Sequence, residues 1–449
     1  MKSIPNLLNL PGYVITDVRE IDDAYHVSAK TSDGLAACPH CHAVHIVGFG
    51  RRTQWIKDLP MHGKRVALYL DTRRFRCKVC GRTFYETLPA VDAKRLMTER
   101  LVTWVAQEAL RRPFVHVAED VGTSEGTVRQ IFKEAVARWD EDRRVETPKW
   151  LGLDEIHLIR PRAVITNVQE RTLVDILVNR NKDTIMRYLC HMPNRDRIAV
   201  VTMDMWRPYK EAVRAVLPHA TIVVDKFHVV KMANAAVEQV RKQLRTALSP
   251  AQRRGLMHDR FILLKREAEL NEREELLLST WVQNYPILGA VHQAKEAFFD
   301  LYTATTRAHA EQRFAAWEQA LSGQTRVAFG DVLTAWRNWQ QEILAYFDHP
   351  VTNAYTESLN SLIRATDRMG RGYSFEVLRA KMLWAEGAIK KVPRRPKLTR
   401  QSRTLADRWP PVGNVGRPLL DDDLWEATAD TVYGTDLRTL VHRIDTGTL

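Results

Sequence analysis

The chain has 449 residues, which is enough for two to four domains with hydrophobic cores of their own. Its composition, 45% hydrophobic and 27% charged, is that of a globular protein, and it lacks the roughly 18 consecutive apolar residues of a bilayer-spanning helix, which excludes a membrane-spanning class. A formal net charge of +13 favours polyanionic partners, because each neutralised phosphate releases counterions. Met1-Lys-Ser-Ile-Pro5 has no signal-peptide pattern, so we expect a cytoplasmic protein with no membrane partner.

Four of the five cysteines form two pairs, Cys38-Pro-His-Cys41 and Cys77-Lys-Val-Cys80. Four sulfur ligands complete a closed tetrahedral Zn²⁺ site, in which no coordination position stays open for catalysis. A redox Cys-x-x-Cys or two unrelated thiol pairs are the alternatives, and the nearby histidines at 40, 42 and 45 could substitute as ligands. We predict a zinc ribbon-like DNA-binding module over residues 1–90 with one structural Zn²⁺, and a buried free thiol at Cys190.

Arginines and aromatic residues alternate around the second cysteine pair. Phosphate contact is the function that this mixture favours, and an ordinary solvated face is the alternative. The side chains that we expect to contact DNA here are Arg73, Arg74 and Arg76.

Residues 91–145 have the pattern of a helix-turn-helix. An amphipathic helix is predicted over 101–110 and ends before Pro113; a short helix follows over 115–121, and Gly122 makes the turn. Ser124 is a favourable N-cap for a third helix that runs to about residue 139. A plain helical hairpin is the alternative. The exposed face of the third helix would present three polar side chains to a major groove: Arg129, Gln130 and Lys133.

The hydropathy pattern of residues 146–235 predicts three strands, a helix, a strand, a helix and a strand. The predicted strands are 151–159, 163–168, 172–178, 198–203 and 221–224, and the predicted helices are 183–190 and 209–217. This is the element order of an RNase H-like fold, in which the first three strands pair antiparallel through short connections. The long helical pattern over 236–348 predicts an all-helical insertion. The fold class is therefore multidomain α+β, with an RNase H-like catalytic domain in two parts, 146–235 and 349–392.

Aspartates follow or interrupt three of these strands. Asp154 lies in the first apolar run, Asp204 follows the fourth strand, and Asp225 follows the fifth. In an RNase H-like sheet the fourth strand lies beside the first, about 4.8 Å away, whereas the metals of a two-metal site lie roughly 3.5–4 Å apart. Asp204 is therefore favoured over Asp225 as the partner of Asp154. Asp225 and His228 are expected to support the site from its edge; a turn or capping role is the alternative for a lone strand-end aspartate.

A downstream helix supplies a third acid. Asn353, Glu357, Asn360 and Arg364 are spaced 4, 3 and 4 residues apart and share one helical face, although a solvated polar face is the alternative. Carboxylates from two strand ends and a distant helix make an oxygen-ligand cage that suits two Mg²⁺ or Mn²⁺ ions. Two further arginines extend a basic, DNA-binding surface: Arg368 and Arg371. Residues 393–449 are predicted to be a basic linker and a tail.

Together these motifs resemble the ISL-three family of bacterial insertion-sequence transposases, related to the Mutator-like group of DDE transposases. The resemblance covers roughly residues 35–390 and rests on the paired cysteines, the helix-turn-helix, and the following motifs: Gly152-Leu-Asp154-Glu, Met203-Asp204-Met-Trp-Arg-Pro-Tyr209, Val224-Asp225-Lys-Phe-His228-Val, Asn353-x3-Glu357-x2-Asn360 and Arg371-Gly-Tyr373. It implies that Asp154, Asp204 and Glu357 are the DDE triad and that Asp225-x-x-His228 is the accompanying (Cys/Asp)-x-x-His motif.

The resemblance also implies an enzyme that binds the terminal inverted repeats of an insertion sequence. Two-metal-ion phosphodiester hydrolysis and transesterification would cut the transposon ends and join them to target DNA. Double-stranded DNA is then the partner, and a homodimer or larger synaptic complex is expected. Two rivals are a transcriptional repressor, which needs no acidic triad, and a zinc-dependent or serine-type recombinase, which needs an open zinc or a nucleophilic serine with covalent DNA attachment.

Overall fold

The structure is a computed structural model that describes residues 9–32, 36–141, 143 and 146–387. These residues form two compact units. The first contains the described residues up to 143 together with 366–385, and the second contains 146–365 with 386–387. The predicted linker and tail over 393–449 lie outside the described residues. No helix in the described ranges has both the length and the apolar character that a bilayer span requires.

The first unit begins with a sheet of five strands: β1 Tyr13–Ile21, β2 Ala24–Thr31, β3 Ile46–Met61, β4 Lys64–Cys77 and β5 Thr83–Tyr85. The order is β1-β2-β4-β3, and β5 pairs with β4. The strand-like patterns of residues 65–70 and 73–76 both lie in the single strand β4, and no sequence pattern predicted β1 or β2. Most side chains of β1 are exposed, so this edge strand lacks the apolar alternation by which strands are recognised.

Three helices follow: α1 Glu99–Arg111, α2 Phe114–Val121 and α3 Glu125–Glu141. Each agrees with its predicted segment to within a few residues. Thr98 caps α1 by accepting a hydrogen bond from the backbone of Leu101. Gly122 ends α2 at φ 67° and ψ 45°, a left-handed conformation that a glycine adopts without strain. The predicted turn at Gly122 is therefore confirmed.

The second unit contains a sheet of mixed direction with helices between its strands. In chain order the elements are β6 Trp150–His157, β7 Pro161–Asn167, β8 Thr172–Leu177, α4 Lys182–His191, β9 Val200–Met203, α5 Arg207–Val216 and β10 Thr221–Val224. The strand order is β10-β9-β6-β7-β8; β6, β7 and β8 pair antiparallel, and β9 and β10 run parallel to β6. The predicted position of the fourth strand beside the first is confirmed. Cys190, predicted to be buried, is exposed on α4.

The structure has only helical elements over residues 226–347, all of which are described. They are α6 Lys226–Leu244, α7 Pro250–His258, α8 Arg260–Leu264, α9 Glu272–Asn284, α10 Pro286–Phe299, α11 Arg307–Ala320, α12 Gly323–Ala328 and α13 Gly330–Leu344, with short 3-10 turns between some of them. A continuous apolar core joins α6, α10, α11 and α13. Its centre includes the rings of Phe314 and Trp336, which stack with centroids 3.6 Å apart.

Two helices complete the chain: α14 Ala354–Gly370 and α15 Phe375–Glu386. The apolar side chains Val377, Ala380 and Trp384 of α15 belong to the same core as α1, α2 and α3. Lys381 of α15 is buried, and its ammonium group donates hydrogen bonds to the carbonyl oxygens of Ala109 and Arg112 at the end of α1. The helix-turn-helix core thus includes a segment more than 200 residues away in sequence.

Candidate functional site

The four paired cysteines lie together at one end of the first sheet. All four sulfur atoms are within 4.8 Å of one another; Cys38 and Cys80 are 3.8 Å apart, and Cys41 and Cys77 are 3.6 Å apart. Four sulfurs at Zn–S distances of 2.3 Å would be about 3.8 Å apart in a tetrahedron. The Cys80 backbone N–H, which donates to the Cys77 sulfur, is the largest cause that lowers the pKa of the Cys77 thiol to about 7. The donor set therefore fits a structural Zn²⁺.

One face of the ribbon sheet carries arginines over exposed aromatic rings. Arg52 lies over the ring of Tyr85 at 3.9 Å; Arg74 lies over Phe49 at 5.3 Å and Tyr85 at 5.6 Å, and Arg76 lies over Phe49 at 5.8 Å. Stacking holds the guanidinium groups in place, so less side-chain entropy is lost when they contact phosphate. Phe49 and Tyr85 are themselves exposed. This face fits a nucleic-acid backbone.

Arg73 points the other way, because neighbouring residues of a strand face opposite sides of the sheet. Its guanidinium donates to Glu86, 2.7 Å away, and to Thr31, and the Glu86 side chain is only 2% exposed. Sequence reasoning grouped Arg73 with Arg74 and Arg76, but its guanidinium is engaged in an internal ion pair. We expect the phosphate contacts to come from Arg74 and Arg76.

Alanine at 73 and at 74 should therefore have different effects. Arg73→Ala removes the cation beside a buried carboxylate and should destabilise the first unit by about 3 kcal/mol. Arg74→Ala should leave the melting temperature unchanged and lower DNA affinity, with the slope of log K against log salt reduced by about 1. Thermal melts and DNA titrations at several salt concentrations measure both effects. Equal loss of salt-dependent binding without destabilisation in Arg73→Ala would contradict this assignment.

The third helix presents its predicted polar face outward. Arg129, Gln130 and Lys133 are exposed, whereas Val128 and Ile131 are buried against α1 and α2. Arg129 pairs with Glu125, 2.5 Å away, and Gln130 bonds to Glu134 one turn on. These residues are thus exposed and could contact DNA, and such contacts would replace the present interactions of Arg129 and Gln130 with glutamates on the same helix. Three basic residues near the end of α14 are also exposed: Arg364, Arg368 and Arg371.

Three aspartates lie side by side at one edge of the second sheet. Leu153 is level with Met203 on the neighbouring strand, and Met203 is level with Val224 on the next. The residues that follow, Asp154, Asp204 and Asp225, are therefore in register across three parallel strands. Adjacent strands are about 4.8 Å apart, so Asp204 is one strand from Asp154 and Asp225 is two. The strand register therefore agrees with the expectation from the sequence that Asp204 lies closer to the Asp154 strand than Asp225 does.

Glycine at position 152 allows α14 to approach the strand that carries Asp154. A Cβ atom there would lie 2.3 Å from the Thr166 hydroxyl and 2.9 Å from the Asn353 side-chain oxygen. Asn353 is fully buried and donates a hydrogen bond to the Leu153 carbonyl at 3.2 Å. Thr356 donates to Asn353 in turn at 3.1 Å. This buried polar network fixes the start of α14 against β6.

The face of α14 that the spacing predicted is the face that meets the sheet. Asn360 donates a 2.7 Å hydrogen bond to the Asp154 carboxylate, which is 5% exposed. Glu357 lies one turn earlier on the same face, and electrostatic interactions link it to Asp225, Asp204 and His228. Arg364 lies further along and is exposed. Asp154 in turn interacts electrostatically with Asp204 and Glu357, so the three predicted acids lie near one another, but the ligand atoms that come within 4.8 Å of one another are those of Asp225, His228 and Glu357.

His228 connects the two remaining aspartates. Its Nδ1 atom is 3.0 Å from the Asp204 carboxylate and 3.8 Å from that of Asp225. Asp225 is fully buried and caps α6 by accepting the Phe227 backbone N–H. Burial alone would lower the pKa of His228, but the nearby carboxylates of Asp204 and Asp225 raise it to about 10. The imidazole of His228 thus lies between the carboxylates of Asp204 and Asp225.

Two carboxyl groups of the site have raised pKa values. Burial, followed by the charge of Asp204, raises the pKa of Asp154 to about 8. Burial, followed by the charge of Asp225, raises the pKa of Glu357 to about 7. Like-charged carboxylates in a partly buried site cannot all ionise at low cost without a cation. The side-chain oxygen of Asn360 and one oxygen of Asp225 also have no hydrogen-bond partner among the described residues. The donor set fits hard divalent cations.

These shifts predict how stability depends on pH. The neutral carboxyl groups of Asp154 and Glu357 stabilise the fold fully below their ordinary pKa values of 3.8 and 4.5. This stabilisation is lost as the pH rises through their raised pKa values of about 8 and about 7. Without Mg²⁺ or Mn²⁺, the melting temperature of Asp154→Asn minus that of the wild type should therefore increase from about pH 5 to about pH 8 and change little above it. The difference is the quantity to measure, because Lys381, whose pKa burial lowers to about 7, contributes equally to both proteins. A melting-temperature difference that becomes smaller as the pH rises would contradict the proposed effect of burial on Asp154.

The sequence analysis assigned no role in the site to several side chains near this edge of the sheet. Glu155, the neighbour of Asp154, pairs with Arg180, whose guanidinium lies 4.6 Å from the centre of the exposed Trp206 ring. Tyr209 is buried, and its hydroxyl has no hydrogen-bond partner among the described residues. The Met203-Asp204-Met-Trp-Arg-Pro-Tyr209 motif was the signal that could have found Trp206 and Tyr209. Nothing in the local sequence marks Arg180.

Comparisons with known proteins agree along most of the chain. A family model described as a transposase matches residues 151–382, more than half of the chain. A model of the zinc-finger of transposase IS204/IS1001/IS1096/IS1165 matches residues 35–80, and one of the helix-turn-helix domain of transposase family ISL3 matches residues 86–136. The transposase for insertion sequence element IS1001 of Bordetella parapertussis is 26% identical over 343 residues, which cover 74% of this chain and 83% of that protein. The chain belongs to the ISL3 family of transposases.

Proposed function

We propose that this ISL3-family transposase binds the terminal inverted repeats of its insertion sequence and catalyses metal-dependent DNA cleavage and strand transfer. The observation that carries the proposal is the convergence of Asp154, Asp204 and Glu357, which come from two adjacent strands and a helix distant in sequence. When bound there, Mg²⁺ or Mn²⁺ would supply Lewis-acid polarisation of the scissile phosphate and of the attacking oxygen. The three carboxylates would hold the ions.

The surrounding residues position those carboxylates. Asn360 fixes one oxygen of Asp154 through its 2.7 Å hydrogen bond, and Asn353 holds the helix that carries Glu357 against the strand. His228 lies 3.0 Å from the Asp204 carboxylate. Such fixed geometry avoids reorganisation when charge develops on the phosphate. No protein nucleophile is needed, because water and then the freed 3′-OH of the DNA are the attacking groups.

The same proposal assigns roles to the other parts of the chain. The catalytic domain is RNase H-like, which the order β10-β9-β6-β7-β8 and the parallel β9 and β10 support, and the helices over 236–348 are an insertion into it. Zn²⁺ held by the four cysteines stabilises the ribbon, and the ribbon and helix-turn-helix bind double-stranded transposon ends in the bacterial cytoplasm. Two ends must be held together for transfer, so a homodimer or larger synaptic complex is part of the proposal.

Cleavage of end-bearing DNA is the direct test. Purified protein with Mg²⁺ or Mn²⁺ should nick a duplex that carries the element's terminal repeat, leave a free 3′-OH and join it to a second duplex. The same duplex with the repeat scrambled should be bound more weakly and left uncut, because base contacts specify the site. Specific binding without cleavage in any divalent cation would instead favour a repressor. A covalent protein–DNA adduct would favour a serine-type recombinase.

A further inference from the structure

A second set of metal-ligating atoms lies beside the proposed triad. Ligand atoms of Asp225, His228 and Glu357 all lie within 4.8 Å of one another. Asp225 precedes the first turn of α6, His228 lies three residues later on that helix, and Glu357 comes from α14. The set includes neither Asp154 nor Asp204, and it contains an imidazole nitrogen.

Asp225 is the strongest sign that this set has a ligand. Its side chain is completely buried, and one carboxylate oxygen accepts the Phe227 N–H at 3.2 Å. The other oxygen accepts no hydrogen bond from any described residue; His228 Nδ1, 3.8 Å away, is beyond hydrogen-bond distance. A buried carboxylate oxygen without a donor is costly, and the nearby Glu357 adds negative charge rather than a donor. A cation at this position would satisfy both carboxylates.

We propose that Asp225, His228 and Glu357 form a mixed carboxylate–imidazole site for one divalent transition-metal ion, with Glu357 shared with the position formed by Asp154 and Asp204. The nitrogen ligand gives this position a preference for Mn²⁺ over Mg²⁺, because Mg²⁺ favours oxygen ligands and imidazole suits softer ions. The inference rests on the proposed function only in placing the cations at this edge of the sheet. Metal binding can be measured without DNA cleavage, so the two proposals can fail separately.

The test is electron spin-echo spectroscopy of Mn²⁺ bound to the full, zinc-loaded chain. Mn²⁺ is the probe because a four-cysteine site suits Zn²⁺, and because a directly bound imidazole gives a ¹⁴N modulation that oxygen ligands do not. We expect one histidine nitrogen on the bound Mn²⁺. His228→Gln should remove the modulation and weaken Mn²⁺ binding about 10-fold or more. His191→Gln, on an exposed helical histidine of the same unit, should leave both unchanged.

A second variant separates ligation from folding. Asp225→Asn keeps a side-chain oxygen that can cap α6, because asparagine is as good an N-cap as aspartate, but it removes the charge. It should weaken Mn²⁺ binding with little change in Mg²⁺ binding or in the melting temperature. Mn²⁺ bound without nitrogen modulation, or modulation that persists in His228→Gln, would overturn the inference even if the wild type cleaves DNA. Nitrogen modulation in a protein that cuts no end-bearing DNA would support the inference and count against the proposed function.

Discussion

Replacing Asp154 with asparagine is expected to lower DNA cleavage by about 10³-fold or more and to raise the melting temperature measured without Mg²⁺ or Mn²⁺. The activity should fall because asparagine cannot supply an anionic ligand. The stability should rise because burial and the charge of Asp204 disfavour the ionised Asp154, whose pKa is raised to about 8. Asparagine retains a side-chain oxygen that can accept the hydrogen bond from Asn360.

Cleavage of end-bearing DNA and thermal melts with and without Mg²⁺ measure the two effects. The stabilisation that Mg²⁺ gives the wild type should shrink in the variant, because a ligand is lost. Asp196→Asn, at an exposed position in the same unit, is the matched control and should change neither quantity. A variant that loses both activity and stability would indicate that Asp154 is structural.

The same assay distinguishes the aspartates that follow β9 and β10. We expect Asp204→Asn to be as damaging to cleavage as Asp154→Asn, because the two side chains follow paired positions on neighbouring strands. All of these variants should retain binding to end-bearing DNA, since the recognition surfaces lie on other residues. Full cleavage by Asp204→Asn together with none by Asp225→Asn would replace Asp204 with Asp225 in the triad.

Loss of the zinc ligand Cys77 is expected to have the second large effect. Cys77→Ser should reduce bound zinc from about one ion per chain to nearly none and weaken binding to end-bearing DNA about 10-fold or more. Cys77 is completely buried at the end of β4 and follows Arg74 and Arg76, so loss of the ion should disorder the strand end that presents these arginines.

The loss of structure in Cys77→Ser should be confined to the zinc-binding end of the sheet. The opposite part of the sheet has its own apolar core, which includes Val27, Ile56 and Leu68. Circular dichroism should therefore change little, whereas metal analysis and DNA titration should change greatly. Cys190→Ser is the control, because that cysteine is exposed on α4 and far in sequence from the two pairs. Full zinc content in Cys77→Ser would remove Cys77 from the ligand set.

Features that depend on local spacing could be predicted from the sequence. The two Cys-x-x-Cys pairs specified a four-sulfur cluster, because each pair needs only a tight turn to aim both sulfurs at one point. The spacing of Asn353, Glu357 and Asn360 specified one helical face. The apolar run before Asp204 specified a strand end, and the order of elements specified which strand would be its neighbour.

Features that depend on contacts between distant segments could not be predicted from the sequence. The packing of α15 into the helix-turn-helix core involves side chains that look like those of any amphipathic helix, and the burial of Lys381 there has no local signal. The same holds for Arg73, which differs from Arg74 only in the side of the strand that it occupies, and for Gly152, whose missing Cβ matters only because α14 approaches there.

The sequence by itself therefore determined the kinds of ligand, the order of the elements and the family. Tertiary structure alone decided that the ligand atoms of Glu357 lie within 4.8 Å of those of Asp225 and His228, and which arginines remain at the surface. The physical reason is the distance along the chain over which each kind of interaction acts. Turn geometry and helical or strand periodicity act within a few residues and can be recognised locally, whereas burial, charge coupling and the pKa values that follow from them depend on which distant segments meet.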